Sequence, residues 1–189
     1  MSEVNLIDQA RRGDQAAWST LVARHQEAVF RLAYLLLGDP DEANDAAQEA
    51  FIRAFQALDR FDSDRSLRPW LLSIVANQAR NRRRAMGRYL AALKRVFQSE
   101  GAALITPGPG DQQQQQWEVR TLWQAIRRLK ADDQEIIYLR YFLDLSVVET
   151  AEAVEIAPGT VKSRLSRALQ RLQTVIDEQF PALREERVG

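Results

Sequence analysis

Residues 145–172 read LSVVETAEAVEIAPGTVKSRLSRALQRL, and the way this stretch divides decides the fold. LSVVETAEAV has the pattern of a short helix. Ser146 and Glu149 have capping-box spacing, while Val147, Thr150, Ala151 and Val154 make a small face that permits a close helix crossing. EIA is a brief turn. PGTVKSRLSRALQRL then opens a second helix, in which Val161, Leu165, Ala168, Leu169 and Leu172 join Ile156 in a core stripe. Thr160, Lys162, Ser163, Arg164, Arg167 and Arg171 are left to meet solvent or a partner. Free amides at a helix start favour an anion, hydroxyls and bases there can fix the helix against phosphates, and bases farther along can donate to guanine edges. The pattern is that of a helix-turn-helix suited to duplex DNA.

Outward from that stretch, the other constraints agree with an all-α chain. The 189 residues, 46% of them hydrophobic, suffice for one medium domain or two small ones. There is no cysteine, which excludes disulfides, thiolate metal sites and cysteine nucleophiles and fits a reducing compartment. The start MSEVNLIDQARRGD lacks the apolar core of a secretory signal, and no segment reaches the length of a membrane span, so the expected location is cytoplasmic, with no direct membrane insertion. Formal charge is zero, but its distribution is uneven. Asp39 to Asp64 carries eight acids against Arg53 and Arg60, whereas Arg65 to Ser99 carries nine bases and no acid, an arrangement suited to two different partners.

Apolar spacing predicts helix over residues 4–37, interrupted at Gly13-Asp14. In GDPDEA, Asp39 reads as an N-cap and Pro40 as a first-turn residue of a helix running to about Leu58, with Ala47, Phe51, Ala54, Phe55 and Leu58 inward. DRFDSDRSLRP breaks the pattern before WLLSIVANQARNRRR restores it. Residues 97–116, with TPGPG and five glutamines, read as a flexible linker. Beyond it, Val119, Leu122, Trp123, Ile126 and Leu129 form a stripe, and Ile136, Ile137, Leu139, Tyr141 and Phe142 are candidates for a small core. The single histidine, His25, has no metal-ligand spacing around it and reads as surface or boundary packing, and Asp132-Asp133 reads as capping or surface charge.

Across nearly its whole length the sequence resembles the extracytoplasmic-function sigma factors, the smallest branch of the sigma-70 family. The resemblance lies in GDPDEANDAAQEAFIRAFQALDRF with WLLSIVANQARNRRR, and in DDQEIIYLRYFLDLSVVETAEAVEIAPGTVKSRLSRALQRL. It implies a region-two-like domain over 1–96, the linker over 97–116 and a region-four-like domain over 117–181. It implies a non-enzymatic subunit without cofactor or metal that recruits core RNA polymerase, recognises minus thirty-five and minus-ten elements and promotes DNA opening. Polymerase binding would fall on Glu42, Asp45, Gln48, Glu49 and Phe51, facing the clamp helices of the largest catalytic subunit, with the beta-subunit flap as a further contact. The unpaired minus-ten strand would meet Asp62, Ser63, Asp64, Arg65, Ser66, Leu67 and Asn77, with Trp70 as a brace and Arg80, Arg82, Arg83 and Arg84 on the backbone. The minus thirty-five duplex would meet Thr160, Lys162, Ser163, Arg164, Arg167 and Arg171. An anti-sigma factor, which a membrane protein could carry, is a further implied partner. The sequence departs from the family pattern at Leu67, where phenylalanine is common, at Pro158, where an acid is common, and at Glu155, where the turn often has glycine, so that a reshaped or slightly strained turn is expected there. Two other readings stand beside this one: a helix-turn-helix regulator that does not serve polymerase, and a sigma-like protein that sequesters a regulatory partner.

Overall fold

A computed structural model describes residues 2–96 and 113–181, with side-chain surroundings for 2–86, 117 and 120–181. Helices α1 (Glu3–Arg11) and α2 (Gln15–Leu37) are separated at Gly13-Asp14, where Gly13 takes φ 88 and the Asp14 carboxylate accepts from the Ala16 and Ala17 amides. Gly38, at φ 78, ends α2 in the left-handed conformation and donates to the Tyr34 carbonyl. Asp39 then caps α3 (Pro40–Ala57), accepting from the Asp41 and Glu42 amides at 2.9 Å. A 3-10 turn at Leu58–Arg60 and a loop lead into α4 (Leu67–Val96).

The inward face of α3 is almost entirely alanine: Ala43, Ala46, Ala47, Ala50 and Ala54 are buried, which brings its backbone close to α2 and α4. This corrects the expectation for Phe55, which is 49% exposed. The alanine stripe takes the core, leaving Phe55 at its edge against Trp18, with ring centroids 5.2 Å apart, and Phe51 half-buried beside it.

The C-terminal half comprises α5 (Gln113–Arg127), α6 (Ala131–Ile137) continuing as a π-turn over Tyr138–Phe142, α7 (Val147–Ala153) and α8 (Pro158–Gln179). Gln134 caps the end of α5, its amide donating to the Leu129 carbonyl at 2.7 Å. The π-turn shifts the phase of the apolar stripe. Tyr138 is thereby fully buried against Trp123 and Phe142, whereas Tyr141, expected inside, is 57% exposed. Leu122 is also exposed rather than inward. Residues 97–112 of the expected linker and the side chain of Val119 lie outside the described residues, and Gln113–Gln116 form the first turn of α5.

The described chain is thus all-α, with two helical regions packed on one another through α2 and α4 on one side and α6, its π-turn and α7 on the other. Among the described residues no helix is long and apolar enough to cross a membrane.

Candidate polymerase and promoter surfaces

On α3, Asp45 and Gln48 point to solvent, while Glu42 and Glu49 lean toward α4. Arg82 of α4 donates to Glu42 at 2.7 Å and reaches Glu49 at 3.5 Å, and Arg53 holds the other oxygen of Glu49 at 2.7 Å. The hydrogen bonds from Arg53, joined by Arg82, keep the Glu49 carboxyl below its ordinary range against the opposing effect of burial. On the α2 side of α3 runs an open groove of about 460 Å³ lined by Val22, Glu27, Phe30, Asn44, Gln48 and Phe51. A helix with an apolar groove on one side and carboxylates on the other suits a helical partner carrying cations.

The loop between α3 and α4 is fixed from a distance. Arg11 of α1 donates to the Leu58 carbonyl at 3.0 Å, to Ser63 Oγ at 2.8 Å and to the Phe61 carbonyl. Asp62 accepts from the Asp64 amide at 3.1 Å, closing a local turn, and Phe61 packs on Trp70 with centroids 4.7 Å apart. Asp62, Asp64, Arg65 and Ser66 are exposed, and Asn77 stands exposed farther along α4, accepting from Arg80. Leu67 is completely buried, so in this conformation its side chain belongs to the core.

Several of these groups face the other half of the chain. Arg80 straddles Glu135 of α6 at 2.5 and 2.6 Å, Arg65 lies 3.9 Å from Glu152 of α7, and Arg68 donates to the Leu143 carbonyl at 2.7 Å. Burial pushes the Glu135 carboxyl up even though Arg80 opposes it, so dehydration outweighs the attraction of its partner. In the same half Tyr138 Oη and Arg140 Nε are buried without a hydrogen-bond partner among the described residues. A junction with a costly ion pair and unsatisfied polar groups beside it is suited to opening.

The helix-turn-helix is formed as the sequence pattern implies. Ser146 and Glu149 exchange both capping-box hydrogen bonds, at 2.8 and 3.1 Å. Glu155 takes φ 55 in the turn, the strained conformation expected of a position that glycine would favour. The start of α8 has no side-chain cap. Lys162, Ser163 and Arg167 are exposed and Thr160 is half-buried, whereas Arg164 turns toward Asp132 at 4.0 Å and Arg171 binds Asp133 at 2.6 Å. Asp133 is buried, which corrects its reading as capping or surface charge. His25 is also buried and meets Glu3 at 2.9 Å, consistent with packing at a boundary. Among the described residues no group of three or more His, Asp or Glu side chains could hold a metal.

Sequence reasoning missed Arg11, Glu135 and Glu152, whose partners lie 52, 55 and 87 residues away along the chain. No local spacing announces such pairs.

Comparison with known proteins gives the same division. Residues 21–89 match the family model of sigma-70 region 2, and residues 120–172 match that of sigma-70 region 4. The chain is 34% identical over 175 residues to the ECF RNA polymerase sigma factor SigW of Bacillus subtilis (strain 168), covering 88% of this chain and 92% of that one. It is 32% identical over 186 residues to the RNA polymerase sigma-H factor of Pseudomonas aeruginosa, covering 95% of each. Among solved structures it is similar to CnrH in complex with the cytosolic domain of CnrY, with a TM-score of 0.68, 26% identity and coverage of 94% of this chain and 98% of that one. It is also similar to the sigma factor RpoE in complex with the anti-sigma factor NepR from Bartonella quintana, with a TM-score of 0.64, 28% identity and coverage of 85% and 97%.

Proposed function

The chain belongs to the extracytoplasmic-function branch of the sigma-70 family and so recruits RNA polymerase and recognises promoter elements; from that premise we propose a role for each of its surfaces. The groove and acidic rim of α3, with Glu42, Asp45, Gln48, Glu49 and Phe51, dock on the clamp helices of the largest catalytic subunit. The loop at Asp62–Ser66 with Asn77 holds a base of the unpaired minus-ten strand, and the bases of α4 follow its backbone. Helix α8 enters the major groove of the minus thirty-five element with Thr160, Lys162, Ser163 and Arg167 foremost. Arg164 and Arg171 join them only by leaving Asp132 and Asp133.

The observation that carries this reading is the packing of α3 between α2 and α4: α2 and α3 present a groove fit for a protein, α3 turns an edge of carboxylates toward α4, and α4 carries a basic stretch fit for a strand. A regulator that bound only duplex DNA would leave both unused. The mechanism requires no covalent chemistry from this chain. Polymerase performs nucleotidyl transfer, while this subunit places it and offsets the few kcal/mol lost on unstacking a base by holding that base in a pocket. Joining a strand-holding and a duplex-reading region in one chain makes the second contact intramolecular once the first is formed.

An anti-sigma factor is the second proposed partner. Support comes from the solved relatives, one bound to the cytosolic domain of CnrY and the other to the anti-sigma factor NepR. The test of the main reading is reconstitution: core polymerase is mixed with the purified chain and a randomised promoter pool, and permanganate reactivity of unpaired thymines is mapped on the enriched duplexes. The reading expects a melted patch at a fixed distance from a recognised upstream element, dependent on both proteins. Enrichment of duplexes by the chain alone, with no melting when core is present, would favour the stand-alone regulator.

A further inference from the structure

We propose that Arg82 links polymerase capture to strand binding: it is held by the polymerase-facing carboxylates of α3 in the free chain and passes to a DNA phosphate when polymerase takes those carboxylates. The proposal rests on the functional reading above and goes beyond it, because Arg82 ceases to be one of several equivalent phosphate contacts.

The geometry sets Arg82 apart. Its guanidinium bridges Glu42 at 2.7 Å and Glu49 at 3.5 Å, two carboxylates two turns apart on the helix assigned to polymerase. Arg83 and Arg84, its neighbours on α4, are exposed, and Arg80 is held by Glu135 from the other half of the chain. Among the described basic residues of α4, Arg82 alone has the polymerase-facing acids as its partners. Both sides of the bridge can be reached from solvent: the side chain of Arg82 is 28% exposed, and those of Glu42 and Glu49 are 45% and 37% exposed. Ion pairs this accessible are weakly held and exchange readily for a stronger partner.

Two effects then act in the same direction. While Arg82 lies between Glu42 and Glu49, its terminal nitrogens are occupied and the two carboxylates add negative potential where a phosphate would approach. When cations of the polymerase clamp take the carboxylates, the guanidinium is released and the repulsion is cancelled. Linkage makes the effect reciprocal: a phosphate that draws Arg82 away leaves Glu42 and Glu49 open to the clamp, so DNA tightens polymerase binding by the same factor.

The test uses the full chain, core polymerase and a forked promoter enriched by the wild-type holoenzyme. Chain-to-core affinity is measured with and without the fork, and fork affinity of the holoenzyme is measured across salt concentrations. Arg82→Gln should bind core alone at least as tightly as wild type, because Glu42 and Glu49 are freed. It should lose most of the extra core affinity conferred by the fork, bind the fork about 3- to 10-fold more weakly, and show a log-log salt slope smaller by about one. Arg82→Lys keeps the charge but can span only one carboxylate; it too should bind core alone at least as tightly as wild type, while its salt slope stays at the wild-type value. This second variant holds the proposal to account even if Arg82→Gln folds poorly.

A purely structural Arg82 gives a different pattern: both variants weaken core binding alone, and the factor by which the fork enhances core affinity is unchanged. Either result overturns the proposal. If wild-type holoenzyme enriches no promoter fork at all, it is the functional reading itself that fails.

Discussion

At the residue scale, Glu155 and Arg11 show two kinds of legibility. Glu155 was marked by its sequence context, since the turn of a helix-turn-helix needs a left-handed residue and glutamate adopts that conformation poorly; the backbone duly takes φ 55. Replacing Glu155 by glycine should raise stability in urea unfolding by about 0.5–1 kcal/mol, and replacing it by valine should lower it, because a β-branched side chain resists positive φ more strongly. A loss of stability in the glycine variant would contradict the strain. Arg11 was invisible, because its role comes from a loop that reaches it only after folding. Its guanidinium binds two carbonyls and Ser63 Oγ at once, which a lysine cannot reproduce. Arg11→Lys should therefore weaken holoenzyme binding to a forked minus-ten probe several-fold while leaving core association unchanged, as read by titration of each partner separately. Equal losses in both titrations would mean that Arg11 supports the whole N-terminal region rather than the loop.

At the element scale, caps and breaks were readable and helix phases were less so. Asp39, Gly38 and the Ser146–Glu149 box act through neighbours in sequence, so their chemistry is local and their spacing suffices. The core faces of α3 and of the π-turn depend instead on what packs against them. In α3 the small alanines win the interior over Phe55 because they allow a closer approach of helices, and in the π-turn one widened turn moves Tyr141 out and Tyr138 in. Ser146→Ala should cost about 1 kcal/mol by removing the cap of α7, measured by denaturant unfolding. The same cap predicts a dependence on acid. Hydrogen bonds from the Ser146 amide, then from its side chain, hold the Glu149 carboxyl below its ordinary value. Its contribution is therefore fully present at neutral pH and is lost as pH falls through the ordinary glutamate value to the lower folded one. Ser146→Ala keeps the amide donor and should retain part of this acid-dependent loss, whereas Glu149→Gln should abolish it; an identical acid profile in Glu149→Gln would exclude the box as its source.

At the scale of the molecule, the contacts between the two halves explain why the surfaces differ in readiness. The outward bases of α8 are exposed, whereas Arg80 is bound to Glu135, Arg65 is near Glu152 and α7 packs on α4. The surfaces proposed for duplex reading on α8 and for strand holding on α4 thus have different access in this conformation. The two helical regions are separable in the sequence through the pattern of their motifs, but their packing on one another is not, since neither the apolar contacts between α4 and α7 nor the pairs Arg80–Glu135 and Arg65–Glu152 have a local spacing to announce them. Because burial already disfavours the Glu135 carboxylate and Arg80 is partly exposed, Glu135→Gln should cost less in urea unfolding than the about 3–5 kcal/mol typical of removing one partner of a buried pair. It should also raise the affinity of the free chain for a forked probe several-fold, by releasing Arg80. Unchanged fork affinity would show that Arg80 is not what the junction withholds.

The central claim is that this chain grips polymerase and an unpaired strand with one half and an upstream duplex with the other, which requires the junction to open. The most direct measurement is the distance between spin labels at Ser19 on α2 and Gln173 on α8, both exposed, in the free chain and in a transcribing holoenzyme on promoter DNA. The account predicts a single narrow distance distribution in the free chain and a shift of at least about 10 Å, the width of a helix, in the complex. An unchanged distance in a holoenzyme that transcribes from that promoter would contradict it.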